Sequence, residues 1–567
     1  MGRIFPVLAL LGVAVAAAAL LSGGSGADPS TPPAAPGQPR PFLGTAVVGS
    51  GGLAAAVDAY GNLVDLRLPG PAGEAQISNS FERQAAGTVP PDTGIVAAAS
   101  AGRHEPLPLW RGKHQRQRYL AGTNVVRTTA RVAGAWVRIE DAAGFPKPEL
   151  SRRFAVLGSP GQTVRLRLGV NLDLAGDVAG DLLRSAPAGF AQRDGEREVR
   201  CASSPPPRRI SLEHGDDSSA TLGWRGGGLL RVDVTCSFAG PPAAAAPLAR
   251  RAVGADRRWL AQALPLGAEA PAWARRMYAR SLLVLRGLAD RRSGAIAAGA
   301  RDGWAFVWPR DAGAAVLALA ASGYRHEARR AARFLADLDL GSGARFRGDG
   351  SAVTDDRALP GDSAGWVRVA AQAAGIERSL PQPSPWARRG DYGEREGDSG
   401  DYLANAIAAG VPAARIRRLF ATDRGLVRIA HDPDSTLDSA AAWAVRPFAR
   451  PPLFGEVRRT LEGLIDPRDR YGVVPSEDWP YEEAWTAPTA WSAWTFAALA
   501  DRGEALRLTR MLRRASTRAG TLPERASADS GLPRSTTPLV WSHAFAVLTL
   551  RELYPRRGGA MRQAVGR

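Results

Sequence analysis

The chain has 567 residues, an apolar fraction of 45% and a formal net charge of +18. That length exceeds the ~250–300 residues at which one core stops growing, so at least two domains are expected, and the apolar fraction excludes a largely disordered chain. The charge does not mark a nucleic-acid binder: lysine occurs only at Lys113 and Lys147, and the arginines are scattered through every segment instead of forming one stripe.

Arg3 precedes an apolar run from Ile4 to Leu21, and small residues follow to Ala27. This is the pattern of a secretory signal peptide, and the run also reaches the lower limit for a membrane-spanning helix. Residues 1–27 are expected to direct export, either as a cleaved signal or as a retained membrane anchor. The product then belongs outside the cell or at its surface. Residues 28–41 are rich in Pro, Ala, Gly and Ser and read as a linker.

From residue 42 to residue 248 short apolar runs are broken by Gly, Pro, Asp and Asn. Examples are Leu43–Val48, Gly52–Val57, Asn124–Val132, Ala135–Ile139, Gln162–Gly169 and Leu229–Cys236. Residues 163–170 alternate apolar with polar, as do residues 230–234, which predicts a β-sandwich. Asp58-Ala59-Tyr60-Gly61-Asn62 reads as a turn between two strands. Cys201 and Cys236 are either one disulfide, as export favours, or two buried thiols. Their spacing, without a CxxC or a nearby His, offers no metal site.

An Arg-rich, partly helical connector is expected over 249–266, and a helical domain over 267–558. Helical spacing recurs at Pro271–Asp290, Asp311–Ser322, His326–Leu338, Ser363–Ala374, Ser399–Ala409 and Ala413–Ala421. It continues at Thr436–Pro447, Gly455–Leu464, Thr486–Arg502, Glu504–Ala515 and Pro538–Tyr554. Successive hairpins of this kind close into a bundle or a toroid. Four connections (345–362, 380–400, 466–485 and 519–537) are longer than connectors need to be, and they carry acidic residues and Arg.

Chemistry concentrates in a few stretches. Arg301-Asp302-Gly303-Trp304-Ala305-Phe306-Val307-Trp308-Pro309-Arg310-Asp311 sets two indoles beside Arg and Asp. An indole covers the apolar face of a pyranose, while guanidinium and carboxylate groups take its hydroxyls. The same stretch also reads as a buried Trp pair with a salt bridge capping a helix. Glu394, in the loop Asp391-Tyr392-Gly393-Glu394-Arg395-Glu396, and Glu524, in Leu522-Pro523-Glu524, are candidate catalytic carboxylates. Glycoside hydrolysis needs one carboxylic acid for the leaving oxygen and one carboxylate for water or sugar. Asp362, just before a helix, reads either as a sugar ligand or as a plain N-cap. Trp485 is expected in the pocket. Trp491 and Trp494 sit at helix-core positions, and His543 reads as a packed histidine.

Val307-Trp308-Pro309-Arg310-Asp311, Asp391-Tyr392-Gly393-Glu394, Leu522-Pro523-Glu524 and Thr537-Pro538-Leu539-Val540-Trp541-Ser542-His543 occur in the order seen in glycoside hydrolase family 15. The helical half resembles that glucoamylase, glucodextranase and trehalase family, and the β-rich half resembles the N-terminal sandwich of its prokaryotic members. The resemblance implies an N-terminal β-sandwich followed by an α/α six-hairpin toroid. It implies exo-acting hydrolysis with inversion, releasing glucose from the non-reducing ends of α-glucans or oligosaccharides. Glu394 would be the general acid and Glu524 the general base, with Trp304, Trp308, Arg310, Asp311, Asp362 and Trp485 binding sugar. No metal, cofactor or nucleic acid is called for. The chain departs from the family at Gly393, where a Trp is usual, and at Arg395, where an acid is common, and Glu396 is the alternative acid. Trehalase or glucodextranase action, phosphorolysis, and a non-catalytic glycan-binding surface protein are the competing expectations.

Overall fold

The computed structural model describes residues 39–78, 94–172, 182–186, 188–214, 218–301, 303–378, 380, 390, 392, 401–479 and 483–556. The expected signal and most of the linker lie outside them. Two antiparallel sheets form an N-terminal sandwich. In one, strands run in the spatial order Gly44–Gly49, Ala54–Asp58, Leu63–Leu68, Gly94–Ala101, Thr163–Asn171, Ser219–Gly227 and Arg209–Glu213, with two short strands attached at the side. The other runs Leu182–Ala186, Gly189–Asp194, Arg197–Ser204, Leu229–Ser237, Glu149–Leu157, Ala135–Ala143, Val126–Val132 and Lys113–Tyr119.

Alternation sets the inner faces. Val164, Leu166, Leu168 and Val170 of one sheet meet Val137, Ile139, Phe154 and Val232 of the other in a single core. The turn read at residues 58–62 forms as expected: Asp58 Oδ1 accepts the amides of Tyr60 (2.9 Å) and Asn62 (2.8 Å), and Gly61 takes φ +85°. Cys201 faces Cys236 on neighbouring strands and the two are disulfide-bonded.

The first strands are buried on both faces, and period two explains how. Ala46, Val48, Ala55, Val57 and Leu63 point into the sandwich core. Val47, Ala54, Ala56 and Val64, one residue out of phase, join the core of the helical half. Helix α1 (Ala245–Leu260) follows and packs on strands Ala135–Ala143 and Glu149–Leu157 through Leu248 and Ala249.

The helical half is an α/α toroid. Its helices are α2 (Ala272–Gly287), α3 (Pro309–Ala321), α4 (Arg325–Ala336), α5 (Ser363–Ala374), α6 (Leu403–Ala408), α7 (Ala413–Phe420), α8 (Phe454–Leu464), α9 (Thr486–Ala498), α10 (Arg502–Ala515) and α11 (Val540–Leu553). An inner ring closes in the order α3, α5, α6, the 3-10 helix Ser439–Ala444, α9, α11 and back to α3. Helices α3, α9 and α11 are buried nearly all round, as an inner wall must be, whereas α4, α8 and α10 bury one face only.

Two expectations need correcting. Thr436–Pro447 is not an α-helix: a 3-10 helix spans Ser439–Ala444, capped by Asp438, whose Oδ1 accepts the Ala440 amide at 2.7 Å. Pro447 disfavours a helical conformation at Arg446 and so limits the C-terminal end of the segment. In addition, a two-stranded ribbon, Glu483–Trp485 with Arg525–Ser527, lies within the helical half, where almost no strand was expected.

Candidate active site

The inner helices present their N-terminal ends to one end of the toroid, and the sequence places its polar motifs there. Trp308 is the N-cap residue of α3 and Pro309 its first residue, where a missing amide proton costs nothing. Arg310 and Asp311 fall in the first turn and are both buried. The Asp311 carboxylate suits the positive end of the helix dipole.

Asp362 occupies the N-cap position of α5 but makes no capping bond. Its Oδ2 instead accepts from Arg310 Nη1 at 2.8 Å, joining the first turns of α3 and α5. Asp362 is fully buried, and its Oδ1 has no hydrogen-bond partner among the described residues. The plain N-cap reading is therefore replaced by a buried ion pair with one acceptor left over.

Below this pair stands an aromatic column. Arg310 Cζ lies 5.0 Å from the ring centre of Trp541 in α11. Trp541 packs edge-on against Trp491 of α9 (5.2 Å), Trp491 against Trp443 (5.5 Å), and Trp443 against Trp366 of α5 (5.1 Å). Trp491 is thus a core residue, as its helical position implied. Tyr392 inserts among these rings and donates its hydroxyl to Asp438 Oδ1 at 2.7 Å, with the Pro475 carbonyl at 3.0 Å. Gly390 bonds through its backbone to Leu359 and Gly361, immediately before Asp362. The 380–400 loop is therefore tied at Gly390 and Tyr392 to the floor of the Arg310–Asp362 region. Glu394 itself lies outside the described residues, as do Gly393, Arg395 and Glu396.

Glu524 is 8% exposed, and both its oxygens are engaged. Trp304 Nε1 donates to Oε1 at 3.1 Å, and the Ser535 hydroxyl donates to Oε2. Arg525 Nε stands 3.6 Å from Oε2 and is itself paired with Glu483 at 2.7 Å. The backbone of Glu524 is fixed as well: its amide donates to Thr536 O (2.9 Å) and its carbonyl accepts from Thr486 N (3.1 Å). The ribbon sets Trp485 directly opposite Arg525.

His543 supports this loop. Its Nε2 accepts the Leu522 amide at 2.9 Å, so Nδ1 carries the proton toward Ser281 Oγ, 2.9 Å away in α2. Burial, and then the nearby Arg280, push its pKa down to about 3, so the ring is neutral at ordinary pH. His543 positions Leu522-Pro523-Glu524 and is no acid or base.

The two indoles of the first motif differ. Trp304 is half-buried beside Glu524, with Arg301 Cζ 4.9 Å from its ring centre. Trp308 is buried against Ala298 and Ala344, and Arg345 and Arg357 each lie 5.6 Å from its ring centre. Ser535, Asp438 and Tyr392 were not assigned roles from the sequence. A capping Asp before Ser439 was the one available signal for Asp438, and the polar run Ser535-Thr536-Thr537 the one for Ser535.

No family model matches the sequence, and no curated protein matches it. A crystal structure of a bacterial glucoamylase complexed with acarbose aligns over 93% of this chain and 97% of its own, at 12% identity and a TM-score of 0.68. A wild-type glycosidase (20% identity, 50% of this chain and 97% of its own, TM-score 0.42) also aligns. So does a glucoamylase from Saccharomycopsis fibuligera (12% identity, 50% and 94%, TM-score 0.41). At these identities the first likeness is one of fold: a β-sandwich followed by a helical toroid.

Proposed function

We propose that the chain is a glycoside hydrolase that removes glucose from the non-reducing ends of α-linked glucans or oligosaccharides with inversion. The observation that carries this is the Glu524 carboxylate, buried and fixed by Trp304 and Ser535 at the end of the toroid where Arg310 and Asp362 pair. The bacterial glucoamylase with the same overall fold was crystallised with acarbose, which supports an oligosaccharide substrate here.

In this reading Trp304 supplies an indole wall for the sugar while its N–H orients the base. Arg310 holds a hydroxyl of the terminal ring, and Asp362, fully buried behind it, fixes the guanidinium. Glu524 takes a proton from water as its oxygen attacks the anomeric carbon. Glu394 protonates the departing glycosidic oxygen, so that bond breaks as the new one forms. Inversion leaves room for the water only if the two carboxyls stand roughly 6.5–9.5 Å apart. The Cys201–Cys236 disulfide favours an oxidising compartment and so supports export.

The test is a panel of α-linked disaccharides, with trehalose and an isomalto-oligosaccharide included, followed by proton NMR of the first product. Release of β-glucose from an α-linked substrate supports the reading, and the best substrate names the linkage. Release of α-glucose overturns inversion. Binding of oligosaccharide with no release overturns hydrolysis in favour of a glycan-binding protein.

A further inference from the structure

A cavity of about 560 Å³ lies at the seam between the two halves, lined by none of the candidate active-site residues. Six cations line it against two carboxylates. Its floor is an internal knot. Asp256 of α1 accepts the Asn124 amide of the sandwich (2.7 Å) through Oδ2 and Arg286 Nε of α2 (3.0 Å) through Oδ1. One cation and one carboxylate are thereby used up. Glu149 spends Oε1 on the Ala243 amide at 3.0 Å.

The remaining five cations are Lys147, Arg250, Arg251, Arg258 and Arg291. All five side chains are exposed. Hydrogen bonds and ion pairs elsewhere in the molecule engage many arginines, but none is formed by these five side-chain charges with an acceptor among the described residues. Arg291 is stacked on Phe145, its Cζ 4.1 Å from the ring centre, which sets a guanidinium against an aromatic face in the lining. Phe145 is 38% exposed and lines the cavity. Although the residue as a whole is exposed, partial desolvation of its guanidinium, and then repulsion from Arg286 and Arg330, hold Arg291 below its usual pKa. Crowded like charges around a concave surface raise the free energy of the empty site and concentrate anions in it.

The geometry points to an anion-binding site for a phosphate-bearing small molecule, held by Lys147, Arg250, Arg251, Arg258 and Arg291, with its organic part against Phe145. The cavity is in the range of small-molecule pockets, about 300–1,000 Å³. Guanidinium forks match phosphate oxygens two at a time. Because the floor ties α1 and α2 to the sandwich, an occupant stabilises the junction of the two halves. This site is independent of the hydrolase reading.

Calorimetric titration and thermal unfolding of the full chain test it. Pyrophosphate, inorganic phosphate and glucose 1-phosphate are the probes, in separate arms at constant ionic strength. The site requires one equivalent of saturable binding by at least one probe and a rise in melting temperature with that probe. A preference for glucose 1-phosphate assigns a sugar phosphate, and a preference for the inorganic ions assigns free phosphate. Arg250→Ala with Arg291→Ala should weaken binding at least tenfold, while melting normally without ligand. Arg225→Ala with Arg231→Ala, which removes the same charge from exposed strands elsewhere, should leave binding intact. Several weak equivalents, equal weakening in both double variants, or no saturable binding by any probe overturns the proposal.

Discussion

The indole N–H of Trp304 donates to Oε1 of Glu524 at 3.1 Å, although 220 residues separate them in the chain. The first motif of the helical half and the candidate base therefore form one unit. Trp304→Phe keeps an aromatic ring and removes the donor together with the pyrrole part of the indole. A hydrogen bond to a charged group contributes about 1.5–3 kcal/mol, so kcat should fall about ten- to hundredfold. KM should rise by less than kcat falls, because a smaller aromatic face remains. Steady-state kinetics on the preferred disaccharide separate the two, and a rise in KM with kcat intact would show that Trp304 serves the sugar alone.

Much of this arrangement is legible in the sequence where chemistry is local. Trp308-Pro309-Arg310-Asp311 announces a helix start with charged residues in its first turn, and the toroid's inner helices show as long apolar runs. What escapes is whatever depends on contact across the chain. Asp362 reads as an N-cap because position alone favours it, and only Arg310, 52 residues away, redirects its side chain. Ser535 and the ribbon Glu483–Trp485 with Arg525–Ser527 sit in polar loops whose three-residue strands are too short to show a period. The two-faced strands at residues 44–68 read simply as hydrophobic, since both phases of their alternation are buried.

Replacing Asp362 takes one buried carboxylate away from the Arg310 guanidinium. Asp362→Ala should cost about 1.5–3 kcal/mol of folding stability, the value of a hydrogen bond between charged groups. Asp362→Asn, which keeps an acceptor for the guanidinium, should cost less. Denaturant midpoints of the three proteins check the order, and an unshifted midpoint for Asp362→Ala would show that solvent reaches Arg310.

His543 gives stability a pH dependence of known sign. Its folded pKa is about 3 and its unfolded value 6.5. Between these values the unfolded chain binds a proton that the folded chain does not, so stability rises with pH. The contribution is complete above about pH 6.5 and is lost on acidification, at about 1.4 kcal/mol per pH unit, until the folded ring titrates. Unfolding free energies of wild type and His543→Gln, measured from pH 4 to 7, should differ in slope by that amount. Parallel curves would show that the ring is not held neutral.

The sandwich braces the Glu524 loop directly. Thr521 Oγ1, three residues before Glu524, donates to Thr45 O of the first strand at 2.6 Å. Thr521→Val keeps the shape and removes the shorter of two donors to that carbonyl, the other being Thr517 Oγ1 at 3.5 Å, at a cost of about 0.5–1.5 kcal/mol. Thermal unfolding reads the loss, and a melting temperature equal to wild type would mean that the contact adds nothing to the seam.

The most direct test of the hydrolase reading is the rate of glucose release from the best α-linked disaccharide by wild type beside Glu524→Gln, with both proteins shown to be folded. The reading requires measurable release by wild type and a drop of several orders of magnitude in the variant, since the amide cannot take a proton from water. Equal release by the two would remove Glu524 as the base, and no release by folded wild type from any sugar in the panel would contradict hydrolysis altogether.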